Sequence, residues 1–436
     1  MKRLKHLFVS LQVRNYRLFF MGQGVSLIGT WMQRMTMGWF VYRLTDSAFL
    51  LGWVSFLSMI PSVAISPFAG AWADRWNRHH TMIFTQIAFF VQASILSVAV
   101  LTGYINAGRL WPLYALSLML GIIEAVDAPI RQSFVIDLVS KRSLLPNAIA
   151  TNSAMFNGAR LIGPMVGGAL IVAFGEGICF SINALSYLPV IGTLLMIRIV
   201  YPKVQISKES TISKIVAGWK YSYRNFPIRY LIMNLGIFTL FGMSYATLMP
   251  VFARDALHGT ARTQGLLMSA AGIGALSGSF YLASRKTIKG LTQTMIIMAS
   301  LVSIALTVFS FSTSIYHSMI LMLVIGLGMM MQMASTNTLI QSIVDDEMRG
   351  RVLSIYTMAF MSMSPFGSLL VGSLSSKFGA RVTLIISAGI CLLWSIIGLR
   401  LVPQIVRDIF RMLINNKNTE IYRPRPVILS VNPAER

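Results

Sequence analysis

The sequence predicts an all-α membrane protein with about twelve transmembrane helices in two six-helix bundles and both termini in the cytoplasm. Three observations predict this fold: recurring apolar stretches of about 20 residues, few charged residues, and a one-sided distribution of the cations. Of the 436 residues, 55% are hydrophobic and only 12% are charged, and the mean hydropathy is +0.67. Soluble domains carry about 25% charged residues, so this composition disfavours an ordinary water-soluble fold.

The apolar stretches are each long enough to cross a hydrocarbon core of about 30 Å as a helix, which satisfies its own backbone in lipid. The basic N-terminus precedes a stretch that is too long for a cleaved signal peptide, so we expect the first span to be retained. The predicted spans are 18–42, 50–73, 82–103, 110–130, 147–173, 178–200, 230–252, 263–284, 291–312, 317–343, 353–376 and 380–402.

The formal net charge of +23 raises the possibility of nucleic-acid binding, and the positions of the 37 Lys and Arg residues argue against it. Six of them lie in loops that follow odd-numbered spans, whereas 29 lie in the tails, in loops that follow even-numbered spans, or at the adjoining span ends, as Arg198 and Arg400 do. By the positive-inside rule both termini are cytoplasmic, which agrees with an even number of spans. The sequence therefore predicts a multi-pass protein of the bacterial inner membrane that contacts lipids and no nucleic acid.

The longest internal polar segment divides the chain into two halves. Within it, Val216, Trp219 and Tyr223 recur at helical spacing beside two lysines, which predicts an amphipathic helix on the inner leaflet. The predicted organisation is a cytoplasmic tail at 1–17, an N-terminal bundle at 18–200, a linker at 201–229, a C-terminal bundle at 230–402 and a basic cytoplasmic tail at 403–436.

The two halves are related by an internal repeat with an offset of about 207 residues. Gly121 of the fourth span corresponds to Gly328 of the tenth, and Arg142 corresponds to Arg349. Two related bundles around a central cavity can rock between two openings, so the repeat favours alternating access.

A short loop between the second and third spans reads GAWADRWNR. Its carboxylate and arginines can dock against a neighbouring helix end and hold one state of a rocking bundle; the alternative is an ordinary positive-inside loop. The loop resembles motif A of the major facilitator superfamily, with Gly70, Asp74, Arg75 and Arg78 at matching positions. The resemblance implies that these residues form a latch with Asp127 at the cytoplasmic end of the fourth span.

The resemblance to the superfamily is incomplete at several positions. Trp72 replaces a leucine of motif A, and Asn77 replaces its second glycine, although Asn can adopt a left-handed turn. Ser117 stands where motif B has an arginine, so the proton-coupling scheme of drug antiporters does not carry over directly. Ala334 stands at the repeat offset from Asp127, so we expect the latch mainly in the first half.

The fifth span is rich in small residues and resembles motif C of the superfamily, G-P-x-x-G-G, which is associated with antiporters. This resemblance favours export, while generic packing of small residues is the alternative. The matching residues are Gly158, Gly163, Pro164, Gly167 and Gly168. Segments near residues 15 and 127 further resemble the secretion-effector branch, which contains the enterobactin exporter and macrolide-type efflux proteins.

Arg34, Glu124 and Arg160 lie inside predicted spans. Charges in mid-bilayer cost several kcal/mol, so those that persist usually face a cavity or a partner. We hypothesise that Glu124 couples protons to transport, while Arg34 and Arg160 attract an anionic or polar substrate. The alternative is a structural Glu–Arg pair within the N-terminal bundle. Two arginines against one carboxylate suit a carboxylate or catecholate siderophore better than a cationic dye.

Neutral polar residues at plausible cavity depth are further candidates, although each could equally hydrogen-bond a neighbouring helix. The candidates are Gln23, Gln33, Asn152, Asn157, Asn234, Gln332 and Asn337, of which Gln33, Asn157, Asn234 and Gln332 are the preferred ones.

Together these features favour a monomeric secondary active transporter that exports a siderophore-like or amphipathic small molecule by alternating access, driven by the proton gradient. No enzymatic activity, cofactor or metal is expected, because the five His are scattered in loops, in the tail and at the edge of one span, and Cys179 and Cys391 lie within spans. An importer of a siderophore or another solute and a multidrug efflux pump remain alternatives. A lipid-modifying enzyme would need clustered nucleophiles, and a non-transporting sensor would not need the repeat.

Overall fold

A computed structural model describes residues 9–73, 76–139, 142–199, 211–285 and 287–415. The regular elements in these ranges are helices. Six long helices of the N-terminal half follow a short 3-10 turn at Val9–Gln12 and are named α1 to α6. They are α1 (Arg14–Thr45), α2 (Ala48–Ala73), α3 (Arg78–Leu101), α4 (Trp111–Asp137), α5 (Leu145–Phe174) and α6 (Glu176–Met196).

The second half begins with a short helix in the linker, followed by six longer helices. They are α7 (Thr211–Arg224), α8 (Phe226–Ala256), α9 (Ala261–Ser284), α10 (Leu291–Phe311), α11 (Ile315–Ile343), α12 (Asp346–Phe378) and α13 (Ala380–Asn415). The last helix continues beyond the expected end at residue 402, because Ile405 and Ile409 keep a buried face on the C-terminal core.

Eleven helices in the described ranges are long and apolar enough to cross a membrane. The first helix, α1, is not among them, although its 32 residues would extend about 48 Å. Four arginines lower its hydropathy. The described residues therefore form a multi-pass membrane protein whose regular elements are helices.

Two features at helix ends follow from local chemistry. Asn77 has an extended backbone, with φ −68°, and its side chain accepts hydrogen bonds from the backbone N–H groups of His79 and His80. It therefore caps α3, and the left-handed turn expected at this position is not formed. Asp46 ends α1 in the left-handed region, with φ 51°.

Each half has its own apolar core, and a third core joins them. Tyr16, Phe19 and Phe134 are buried in the first half, whereas Leu231 and Met295 are buried in the second. The third cluster contains side chains of both bundles, including Met35, Trp39, Phe40, Leu248, Phe252 and Leu267. Burial of apolar surface therefore holds the two halves together at one end.

At this end glycines let the bundles approach closely; we call it the joined end, defined by Ala48, Gly168, Ala261 and Gly372. A Cβ atom on Gly372 of α12 would lie 2.7 Å from the carbonyl oxygen of Ala48 in α2. A Cβ atom on Gly168 of α5 would lie 2.6 Å from the carbonyl oxygen of Ala261 in α9. Both contacts require a residue without a side chain.

The sequence predicted a continuous helix for the seventh span, but α8 is irregular. It contains π-helical segments at Phe238–Gly242 and Phe252–Ala256, with a 3-10 segment at Met243–Leu248 between them. Irregular backbone at membrane depth is tolerated where it is enclosed in protein or lines a cavity. Ala246, Thr247 and Pro250 of α8 do line a cavity.

The linker helix α7 packs on the C-terminal bundle. Gly218 lies against the backbone of Arg351 in α12, and the Tyr221 hydroxyl donates a 2.8 Å hydrogen bond to the Asp345 carboxylate. Burial and this carboxylate raise the pKa of Tyr221 to about 12, so the phenol stays protonated at physiological pH. Val216, Trp219 and Tyr223 are exposed, which leaves an apolar face outside the bundle.

Candidate functional site

A cavity of about 200 Å³ lies between the two bundles. Its wall combines α1, α2 and α4 of the first half with α8 and α9 of the second. Four methionines, at positions 35, 37, 59 and 268, make much of the wall soft and apolar. The polar groups of the wall include Arg34, Ser58, Ser117, Glu124, Thr247 and Gln264. This arrangement of an apolar wall with a few polar groups is typical of small-molecule sites.

Arg34 and Glu124 form an ion pair across this cavity wall. The Arg34 Nη2 atom lies 2.6 Å from Glu124 Oε1, and the two side chains are 39% and 22% exposed. The structure therefore brings together two of the charged residues that the sequence placed inside spans. Because both side chains reach the cavity, the pair is accessible to a ligand or to water.

Trp31 lies between this ion pair and Arg160. The guanidinium carbon of Arg34 lies 5.2 Å from the Trp31 ring centre, and that of Arg160 lies 5.6 Å from it. Both distances fit cation–π contacts. Among the described residues no carboxylate pairs with Arg160, so the group carries more positive than negative charge. Trp31 was not among the residues predicted from the sequence, although its position one helical turn before Arg34 was a usable signal.

Gln33 lines the cavity but is engaged within its own bundle. It donates to Gln92 Oε1 at 3.3 Å and accepts from Asn183 Nδ2 at 2.5 Å, which ties α1 to α3 and α6. Gln92 in turn donates to the backbone oxygen of Leu116 in α4. This chain of amides is a structural network, which was the alternative interpretation of Gln33.

The structure does not bring the other neutral candidates into the described cavity wall. Asn157 donates to the backbone oxygen of Ser153, one turn earlier in α5. Asn234 and Gln332 are buried in the C-terminal bundle, each with a side-chain nitrogen that has no partner among the described residues.

One contact of the latch expected from the motif A resemblance differs in the structure, while the latch as a whole stays a prediction. Arg78 pairs with Asp137, at 3.0 and 3.1 Å, and not with Asp127. Arg78 is the first residue of α3 and Asp137 the last of the antiparallel α4, whereas Asp127 lies ten residues earlier, about 15 Å along the helix. Asp74 and Arg75 lie outside the described residues, and Gly70 lies in α2 with its surroundings also undescribed.

Asp127 itself is buried and fully engaged within the N-terminal bundle. Its Oδ1 accepts hydrogen bonds from Thr85 at 2.8 Å and Gln86 at 2.9 Å, and its Oδ2 lies 3.6 Å from Arg131. Asp127 lies three residues after Glu124 on α4. Its hydrogen-bond network with Thr85, Gln86 and Arg131 could not be predicted from the sequence.

The motif C residues pack α5 against two neighbours. A Cβ atom on Gly163 would lie 2.6 Å from Trp31 Cβ, and one on Gly167 would lie 3.0 Å from Met32 Cγ, so α5 lies close to α1. Gly168 packs against the backbone of Ala261 in α9, and the backbone of Pro164 packs against Gly265 of α9. Gly158 differs, because a Cβ atom there would have nothing within 4 Å.

A polar cluster joins the bundles at the joined end, and sequence analysis missed it. Arg254 of α8 pairs with Asp46, and the Tyr42 hydroxyl donates to Asp255. We call these four residues the bundle-joining cluster. Asp46 and the nearby His258 are the non-glycine residues with positive φ in the described chain. The two residues with a strained backbone therefore lie in the same part of the joined end as the charged contacts between the halves.

Asp46→Asn should weaken the closure of the joined end by about twofold to fivefold, because an exposed ion pair contributes modestly. Asparagine tolerates the left-handed backbone at this position, so only the charge is lost. The measurement is the distance distribution between spin labels at Tyr104 and Tyr316, which are exposed loop-end residues of the two halves.

Arg43→Gln is the matched control for this change. Arg43 pairs with Glu176 at 2.5 Å at the same end but within one bundle, so its loss should leave the distribution unchanged. Equal broadening in both variants would contradict a specific role for the bundle-joining cluster.

Comparisons with known proteins find membrane transporters among the relatives of this chain. The family model described as transmembrane secretion effector matches residues 7–413. The chain is 26% identical to the staphyloferrin A transporter of Staphylococcus aureus, over 83% of this chain and 90% of that protein. It is 21% identical to macrolide efflux protein A of Streptococcus pyogenes, over 83% and 89% of the two chains.

Solved structures show the same fold at low sequence identity. One is a bacterial homologue of the human lysosomal transporter Spinster in an inward-facing and unoccupied conformation, with a TM-score of 0.72 and 13% identity. The match covers 92% of this chain and 98% of that one. A nucleoside transporter matches with a TM-score of 0.70 and 13% identity, over 89% and 99%.

Proposed function

Because the chain belongs to the transmembrane secretion effector family of the major facilitator superfamily, and is thus a membrane transporter, we propose that it exports an acidic siderophore-like or amphipathic small molecule in exchange for protons. The observation that carries this proposal is the Arg34–Glu124 pair on the wall of the cavity between the two bundles. Arg160 is not itself a residue of the described wall, but it contacts the wall residue Trp31, as Arg34 does, and adds a second positive charge beside the pair. The excess positive charge there suits an acidic ligand. Glu124 is a titratable group within reach of that ligand.

The proposal includes twelve spans, with α1 as the twelfth, and both termini in the cytoplasm of a bacterial cell. The hydropathy of α1 is lowered by arginines that need not face lipid. Arg34 is paired in the cavity, Arg43 is paired near one helix end, and Arg14 and Arg17 lie at the other end. The chain would act as a monomer with protons, lipids and its substrate as partners.

In this topology the joined end faces away from the cytoplasm and the cavity opens inward. Polar side chains that are exposed near the opposite ends of α5, α11 and α12 support a water-filled opening there, since lipid would disfavour them. They are Ser153, Thr338, Ser354 and Thr357. Rocking of the two bundles about the cavity would then expose it to the other side.

Export by exchange requires that the protein does not bind the proton and the substrate at the same time. A substrate that donates a hydrogen bond to ionised Glu124 meets this requirement, because protonation removes the negative charge that strengthens this bond and turns one carboxylate oxygen into a donor. Its acidic group would then lie between Arg160, which keeps no carboxylate partner among the described residues, and the N–H groups of Arg34 other than those of Nη2, the atom that contacts Glu124. The motif C packing of α5 on α1 and α9 also favours export, by the resemblance to antiporters.

Import is the second candidate, and a specific contact favours it. If the acidic group of the substrate replaces Glu124 on Arg34, protonation of Glu124 helps the substrate to bind, because it frees the guanidinium. The proton and the anion would then travel together, and an inward proton gradient would drive uptake. A multidrug efflux pump is the third, favoured by the methionine-rich wall.

One experiment separates these proposals. The protein is reconstituted in liposomes with a pH-sensitive dye inside and an acidic interior, and an acidic siderophore or a cationic dye is added outside. Exchange should make the interior more alkaline as the siderophore enters, whereas joint movement should make it more acidic. A response to the cationic dye alone would contradict an acidic substrate, and no response to either would contradict proton coupling.

A further inference from the structure

Gln264 has an unusual position in the cavity wall. It lies on α9, is only 2% exposed, and lines the cavity from the C-terminal half. Its Nε2 donates to the backbone oxygen of Met35 at 3.5 Å and lies 3.8 Å from the Met268 sulfur. Its Oε1 has no hydrogen-bond partner among the described residues.

The orientation of this amide follows from its neighbour. If the oxygen and nitrogen were exchanged, the amide oxygen would face the carbonyl oxygen of Met35, and two acceptors would then oppose each other. The oxygen is therefore the atom left without a partner. A buried acceptor without a donor is costly, so native structures usually satisfy it with protein, water or ligand.

Several other polar groups of the wall have partners. The Ser117 hydroxyl donates to the Leu113 backbone oxygen at 2.7 Å, and the Thr247 hydroxyl donates to Ser368 at 3.0 Å. Arg34 and Glu124 pair with each other. Within the described wall, Gln264 Oε1 is thus a buried hydrogen-bond acceptor without a donor.

We propose that Gln264 Oε1 accepts a hydrogen bond from a hydroxyl group of the substrate, whose carboxylate is held by the arginines beside Trp31. This rests on the proposed function and narrows its substrate class to acidic molecules that carry a hydroxyl donor. One such molecule would touch α1 of the first bundle and α9 of the second at once. Gln264 is then a specificity-determining residue, because an analogue without the donor leaves its oxygen unpaired.

The test compares two acids that differ in one hydroxyl. Mandelate is a monoanion with an aromatic ring and an α-hydroxyl, and phenylacetate lacks only the hydroxyl. Binding of each is measured by calorimetry on the purified full-length protein. We expect mandelate to bind about fivefold more tightly to the wild type, the difference that one neutral hydrogen bond makes.

Gln264→Met and Gln264→Leu should abolish this preference by weakening mandelate alone, and either folded variant suffices. Gln23→Met is the matched control, since Gln23 is a buried glutamine of α1 whose Oε1 also lacks a described partner, but it lies outside the described cavity wall. The control should keep the wild-type preference.

Three other outcomes would overturn the inference in distinguishable ways. Equal binding of both acids by the wild type, with loss of both in Arg34→Gln, would leave the acidic-substrate proposal standing and remove the role of Gln264. Binding of neither acid by the wild type would contradict both. A preference that persists in a folded Gln264→Met variant would assign the hydroxyl contact to another residue.

Discussion

Proteoliposomes that carry Glu124→Gln are expected to exchange substrate across the membrane but to move no protons with it. Glutamine can keep a hydrogen bond to Arg34, so the cavity wall should remain intact, but it cannot bind and release a proton. Proton movement driven by substrate should therefore fall to the level of protein-free liposomes. Exchange of labelled for unlabelled substrate needs no net proton movement and should persist.

Two further variants show whether the effect belongs to Glu124. Glu176→Gln removes a carboxylate that also pairs with an arginine, Arg43, but lies outside the described cavity wall, so it should keep proton movement. Asp127→Asn changes the buried carboxylate three residues along α4. If Asp127→Asn alone stops proton movement and Glu124→Gln does not, the coupling carboxylate is Asp127, and the proposed role of Glu124 is wrong.

The apolar stretches predicted the helices well because hydropathy reports the cost of exposing residues to water or lipid. They did not predict where helices end or bend. The final helix continues to Asn415 because burial of Ile405 and Ile409 extends one face past the apolar run. The irregular backbone of α8 around Pro250 follows from packing and from the cavity beside it, which a hydropathy pattern does not encode.

The charged part of the site could be predicted because lone charges in apolar spans are conspicuous. Which of them touch could not, since contact depends on helix rotation and register. The resemblance to motif A suggested Asp127 as the partner of Arg78, whereas the antiparallel register of α3 and α4 places Asp137 there. Trp31 and Gln264 went unnoticed for a related reason. A tryptophan or glutamine in a span has many packing roles, and only the fold shows which ones face the cavity.

Gly168→Ala should shift the protein away from the state in which the joined end is closed, by about tenfold or more. The added methyl group would lie 2.6 Å from the Ala261 carbonyl oxygen and 3.1 Å from the Arg262 Cα atom. Both are backbone atoms, so α5 and α9 must separate to make room. The distance between spin labels at Tyr104 and Tyr316 should lengthen, and substrate transport should slow because one state of the cycle is lost.

Gly158→Ala on the same helix is the matched control, because its methyl group would meet nothing within 4 Å. Both substitutions stabilise the helix by the same amount, about 1 kcal/mol, because alanine has a higher helix propensity than glycine. A difference in label distance or transport between the two variants therefore reports the contact with α9 alone. Gly158→Ala should leave both the label distance and transport unchanged. If instead Gly168→Ala keeps the wild-type distance, the bundles close without the tight α5–α9 contact. The joined end would then depend on the apolar core around Phe252 and Leu267 and on the bundle-joining cluster, and motif C would serve to pack α5 on α1.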